Sequence, residues 1–330
     1  MLVDELTRQF IIEHREDDVL RLALRQKQYS QEQYPQPTVG IAFALQQIQG
    51  WQRARHKLPT ISAIDGWLYP ASLPLEQCSS ETTARHKAEM LSPFIKRETS
   101  PFPTCAGASL IDMTGGMGVD TYFLSELFDH TLYIERQAEL AEFARHNFAL
   151  TGKKIEVVNA DAKDYLNSIE HVSCIYCDPA RRDAKGGKVF RLADCEPDLT
   201  ALYSLLSAKA DLILLKLSPM LDLNDALRTL ADAVQIEIVA VRGEVKELLI
   251  LCVPPCAEAS PLIRCLNLET LQEPFSFLLS ENKETRGCYA TELCRYLYEP
   301  NAALMSMGVS PALDARRVAM RKRRSLSLRW

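Results

Sequence analysis

A glycine-rich turn and three acidic residues spaced along the chain carry the first chemical signal. The turn is Asp112-Met113-Thr114-Gly115-Gly116-Met117-Gly118-Val119-Asp120, set where an apolar strand pattern gives way to a helical one. Glycines there let the backbone turn tightly and let a ligand lie against it with no Cβ in the way. Glu135 ends the next apolar run, 23 residues after Asp112. A carboxylate at that point accepts both hydroxyl hydrogens of a ribose diol and repels a phosphate. Asp161, in Asn159-Ala160-Asp161-Ala162 after the third run, is placed to accept from an adenine amino group while neighbouring backbone groups border the ring. Each acid alone reads as a solvated strand end. All three, in order and at strand ends, point to a nucleoside-like cofactor.

A fourth signal, Asp178-Pro179-Ala180-Arg181-Arg182, follows the fourth apolar run, at the edge of such a pocket. A carboxylate there can accept a hydrogen bond or take a proton, and Arg181 can pair with a phosphate or a base edge. Arg181 and Arg182 read equally as a salt-bridged loop. The segment that follows gathers Lys185, Gly186, Gly187, Lys188 and Arg191 around Phe190. It suits a wall that closes over a polyanion and equally a mobile surface loop. Cys174 and Cys177 have C-x-x-C spacing but fall inside a buried strand pattern, with no second pair at zinc-site spacing, so core packing is expected of them. The six histidines form no ligand cluster, and no metal is expected.

The elements that must position these residues alternate. Apolar runs SLIDM, TLYIE, IEVVNA, VSCIYCD and ADLILLK are separated by helical patterns, which predicts a parallel sheet covered by helices. The last two runs, QIEIVAV and ELLILCV, are joined by RGEVK with no room for a crossover helix, so they are expected to form an antiparallel hairpin. A dinucleotide-binding sheet ends on parallel strands, and the hairpin therefore disfavours a nicotinamide-dependent oxidoreductase. Met113, Met117, Phe123, Phe143 and Phe148 fit core faces. Three parts are expected: a helical domain over 1–105, an α/β domain over 106–260, and a small α+β module over 261–330.

Composition narrows the class. With 330 residues, 47% of them hydrophobic and 25% charged, the chain can build more than one core and has no signature of disorder. No run is apolar enough to span a bilayer, and the charged first residues exclude a signal peptide, so a cytoplasmic protein without disulfides is expected. The formal charge is -5, yet residues 316–330 hold seven basic residues and no acidic one. Such a segment reads as a solvated end or as a phosphate-binding arm.

Together these motifs resemble the class I S-adenosylmethionine-dependent methyltransferases, and more closely a bacterial THUMP-like group. The resemblance covers roughly residues 75–310 and rests on EQCSSETTARHKAEM, the D-x-T-G-G-M-G-x-D turn, DPARRD, GEVKE and YLYEPNAA. It implies a Rossmann-like sheet of seven strands with an antiparallel last hairpin. It also implies S-adenosylmethionine held by Asp112, Thr114, Gly115, Gly116, Gly118, Asp120, Glu135, Arg136, Asp161 and Ala162. Asp178, Pro179 and Arg181 would then meet the reacting methyl, and Arg182, Lys188 and Arg191 the substrate. Thr83 and Lys87 are expected near the cofactor on the resemblance alone. Related amino-methyltransferases carry D/N-P-P-Y where this chain has Asp178-Pro179-Ala180-Arg181, a departure similar to the D-P-P-R of some tRNA and rRNA enzymes. The resemblance thus implies RNA as partner and a base nitrogen as target. A cofactor-fold binding protein without catalysis, and methylation of a protein or small molecule, are the alternatives. The family continues beyond the point matched by Trp330, so 261–330 is expected to be a shortened module. The oligomeric state is not legible.

Overall fold

Acidic caps mark where many of the helices begin. Asp4, Asp18, Asp161, Asp198 and Asp222 each accept a backbone N–H from the first turn that follows, satisfying donors that a helix start leaves open. The computed structural model describes residues 3–25, 40–95, 107–181, 191–256, 260–284, 298–306 and 320–322. The chain divides into two units, Met1–Ser168 and Ile169–Trp330. Its architecture is Rossmann-like α/β.

Among the described residues of the first unit the helices α1 (Glu5–His14), α2 (Val19–Leu24), α3 (Gly40–Lys57), α4 (Pro59–Ser62), α5 (Ser72–Gln77) and α6 (Glu81–Ile95) lead. Then β1 (Ser109–Asp112), β2 (His130–Glu135) and β3 (Ile155–Asn159) alternate with α7 (Val119–Leu124), α8 (Ala138–Thr151) and α9 (Ala162–Leu166). The strands are parallel with β2 in the middle, Ile111 lying opposite Leu132 and Ile134 opposite Val158. In α3 the apolar residues Ile41, Ala44 and Ile48 recur at helical spacing and are buried. One apolar cluster joins Ala54, Leu58, Ile61, Trp67 and Tyr69 to Tyr122, Phe123, Tyr133, Ala144 and Phe148, so it spans both sides of residue 105. Polar clamps reinforce it. Gln47 bonds the backbone N–H and C=O of Tyr69, and Asn147 does the same for Leu68.

In the second unit β4 (Val172–Cys177), β7 (Ala210–Leu217), β8 (Ala233–Val241), β9 (Glu244–Cys252), β10 (Leu262–Leu268) and β11 (Phe275–Leu278) lie in the order β11-β10-β8-β9-β7-β4. The short pair β5 (Ala180–Arg181) and β6 (Cys195–Glu196) stands apart from that sheet. Also described in this unit are the helices α10 (Leu199–Lys209), α11 (Leu223–Thr229), α12 (Leu279–Glu284) and α13 (Ala302–Ser306), with β12 (Tyr298–Pro300) paired to β13 (Met320–Lys322).

All seven strands expected of the sheet are present, as β1 to β4 and β7 to β9. The hairpin is antiparallel as expected, but its connection is shorter than RGEVK. Arg242 and Gly243 alone make the turn, with φ of 51° and 88°. Two successive left-handed residues match the twist of the flanking strands, so Glu244 to Lys246 continue as strand. Strands β10 and β11, from the expected C-terminal module, extend the sheet past β8. Cys174 and Cys177 are buried in β4 as core, and burial pushes the Cys174 thiol well up.

Candidate functional site

The glycine turn sits between β1 and α7, and each glycine has its own reason. A Cβ on Gly115 would lie 2.2 Å from the Tyr133 ring, and one on Gly118, with φ 73°, would lie 2.6 Å from Phe148. Packing therefore excludes side chains at both. Gly116 also has positive φ, 55°, but its Cβ direction is open, with Thr114 O the nearest atom at 3.7 Å. That is the place where backbone can approach a ligand closely.

Two acids fix this turn from below and beside. Asp112 is buried at the end of β1; its Oδ1 accepts from Thr114 N at 2.9 Å and its Oδ2 from Thr121 Oγ1 at 2.5 Å. Its geometry shapes the loop from within. Glu135, ending β2, accepts from Gly116 N through Oε2 at 2.9 Å and from Gln137 N through Oε1 at 2.7 Å. An ionised carboxylate has about four acceptor positions, so two remain for a diol. The Tyr133 hydroxyl donates to Gly116 O at 2.7 Å. Burial, with Glu135 and Asp112 nearby, pushes its pKa well up, which keeps the hydroxyl a donor.

Asp120 lies in the first turn of α7. It accepts from Ser79 Oγ at 2.8 Å and ion-pairs with Lys87 Nζ at 3.1 Å. Lys87 is wholly buried and also donates to Ser79 Oγ and Thr83 O. Lys87 thereby ties α6 to the glycine turn. Asp161 is exposed and caps α9 through Lys163 N at 2.9 Å, while Ala162 beside it is buried and Arg136 is exposed. Asn159 donates to the carbonyls of Glu135 and Arg136, bracing the ends of β2 and β3.

In the second unit Asp178 follows β4 directly and forms an ion pair with Lys216, near the end of β7. Ala180 and Arg181 lie in β5, opposite Glu196 and Cys195 of β6. Arg191 is exposed. Arg182 and Lys188 lie outside the described residues, as does the side chain of Arg181. Of the basic segment 316–330, only Met320–Lys322 is described, as backbone paired to Tyr298–Pro300. Among the described residues no group of three His, Cys, Asp or Glu is arranged to hold a metal, and no helix is long and apolar enough to cross a membrane.

Lys216, Tyr133 and Thr121 were not singled out from sequence. Lys216 carried a local signal, a lone cation in the otherwise apolar run ADLILLKL. A cavity of about 690 Å³ lies elsewhere in the first unit, walled by Ile11, Arg15, Trp51, Ile64, Trp67 and Leu150. No expected site residue lines it.

No protein-family model matches the sequence. A crystal structure of a candidate methyltransferase from Porphyromonas gingivalis W83 aligns with a TM-score of 0.76 at 34% identity, covering 93% of this chain and 74% of that one. Two curated relatives, both uncharacterized S-adenosylmethionine-dependent methyltransferases of Mycobacterium tuberculosis, are 27% identical over 184 residues, or 56% of this chain. That match spans 45% of the relatives' own length.

Proposed function

The chain belongs to the class I S-adenosylmethionine-dependent methyltransferase family, and we propose that it transfers a methyl group from that cofactor to a nitrogen of a base in RNA. The observation that carries the reading is Glu135, held by Gly116 N and Gln137 N with acceptor capacity to spare. A carboxylate so fixed is ready for a ribose diol without rearrangement, which lowers the entropy lost on binding. The open Cβ direction at Gly116 fits the same ligand, and Asp161 and Ala162 are proposed to border its base.

When bound, the cofactor supplies a methyl already activated by a sulfonium. What remains for the protein is positioning and the fate of a proton. Asp178 and the Pro179 carbonyl are proposed to accept hydrogens of the acceptor nitrogen and so aim its lone pair. Arg181, Arg182, Lys188 and Arg191 are proposed to bind the polyanion, and residues 261–330, with their basic end, to serve as the recognition module. The resemblance of Asp178-Pro179-Ala180-Arg181 to D-P-P-R in RNA-modifying enzymes supports RNA over a protein acceptor.

The test is mass spectrometry of nucleosides from total RNA of cells with and without the gene. A methylated base that disappears with the gene, and returns when purified protein and S-adenosylmethionine are added to the RNA, is the expected result. Unchanged nucleosides in every RNA class would refute RNA as the substrate.

A further inference from the structure

We propose that Lys216 is a positioning residue for the transfer step, holding Asp178 charged and in one orientation toward the acceptor nitrogen. This rests on the reading of Asp178 as the group that meets the acceptor. Strands β4 and β7 are parallel with Cys177 opposite Leu215, so the residues next in line, Asp178 and Lys216, emerge side by side at the carboxyl ends of the strands. Ligands of open α/β sheets bind at that end. There the Lys216 ammonium donates to the Asp178 carboxylate. The Lys216 side chain is 14% exposed and that of Asp178 36%. Leu214, Leu215 and Leu217 around Lys216 and Leu249 across from it are all buried.

A strand end of this kind needs no cation for its own packing, since a leucine would continue the pattern. A half-dehydrated lysine becomes useful only if its partner must stay ionised. The chemistry supplies that need. The acceptor nitrogen starts neutral and bears N–H. As its lone pair forms the N–C bond and the C–S pair departs with sulfur, positive charge passes to nitrogen and the N–H turns acidic. The Asp178 carboxylate takes that proton and later yields it to water. Weak basicity suffices because the proton is acidic by then. Lys216 keeps the carboxylate present and oriented before the acceptor arrives. Other charged residues on adjoining elements are Glu244, Lys246 and the buried Glu247 of β9, the strand paired to β7, while Arg181 follows Asp178 by three residues in β5.

The experiment follows the Asp178 carboxyl carbon by NMR, assigned with Asp178→Asn, in the native protein, Lys216→Met and Lys216→Arg. In parallel, tritiated methyl transfer from S-adenosylmethionine to total RNA from cells lacking the gene is measured against pH. Lys216→Met is expected to raise the Asp178 titration midpoint by about one to three pH units. Its transfer rate at saturating RNA should fall most at low pH and recover as pH rises, with the cofactor KM unchanged, and Lys216→Arg should restore both readouts. An unmoved midpoint overturns the proposal, and so does a loss of rate that is equal at every pH and not restored by arginine. If the native protein transfers nothing to RNA, the RNA reading fails, while the titration still decides whether Lys216 governs Asp178.

Discussion

Glu135→Ala removes a carboxylate that is committed on both sides. In the folded protein it already takes Gly116 N and Gln137 N, at 2.9 and 2.7 Å, and its remaining acceptor positions are those proposed for the ribose hydroxyls. Two hydrogen bonds from hydroxyls to a charged acceptor are each worth about 1.5–3 kcal/mol. Glu135 is near the surface although only 8% exposed, so water entering the vacated volume recovers part of that. The expected net loss in S-adenosylmethionine binding is about 1–3 kcal/mol, or roughly 5- to 150-fold in Kd. Glu135→Gln sharpens the test. An amide keeps the shape but sets an NH2 against Gly116 N–H or Gln137 N–H, so it should bind no better than a few-fold above the alanine variant. Titration calorimetry with S-adenosylmethionine, on variants shown by thermal melting to be folded, measures both. A Kd within twofold of native for Glu135→Ala would refute the diol contact and leave Glu135 as a brace for the turn alone.

Three further outcomes are expected. Gly118→Ala should lower unfolding free energy by about 2–4 kcal/mol, because both the left-handed backbone and the Phe148 ring at 2.6 Å resist a Cβ; Gly116→Ala, with open space, should cost only about 1 kcal/mol, and urea unfolding compares them. Lys87→Met leaves Asp120 buried with its ion-pair partner gone and should cost about 3–5 kcal/mol, partly recovered by adding Asp120→Asn, as read from urea midpoints. Deleting residues 316–330 should weaken RNA binding and flatten its salt dependence, by about 0.7 in logarithmic slope per lost phosphate contact, without changing S-adenosylmethionine affinity; filter binding of both proteins across a salt series with equal slopes would eliminate these residues as an RNA arm.

Features whose cause is local were legible in the sequence. Contiguous apolar runs gave β1, β2, β4 and β7 to β9, because a strand largely buried on both faces needs a nearly unbroken apolar stretch, while β3, none of whose residues is buried, showed only as the shorter run Ile155 to Val158. The hairpin was legible from the lack of room for a crossover, yet the turn itself was placed too long: Arg242 adopts φ 51°, a conformation its residue type does not announce. Strands β10 and β11 were read into a separate module because nothing in residues 262–278 records that β8 still has an open edge on its far side.

The candidate site divides along the same line. Spacing located Asp112, Asp120, Glu135 and Asp161 but could not say which of them faces a ligand, since that depends on partners far away in the chain. Asp112 is engaged by Thr121 across the turn, and Asp120 by Ser79 and Lys87 from a helix that precedes β1. Asp161 bonds its own helix start. Glu135 alone combines backbone donors on both oxygens with a place beside an open glycine, so it is the acid on which cofactor recognition should chiefly depend. The same reasoning explains Lys216. Its partner Asp178 lies 38 residues earlier and meets it only because β4 and β7 pair in parallel register. A charge inside an apolar strand is a costly choice unless something across the sheet answers it, and here the answer is the residue proposed to meet the acceptor.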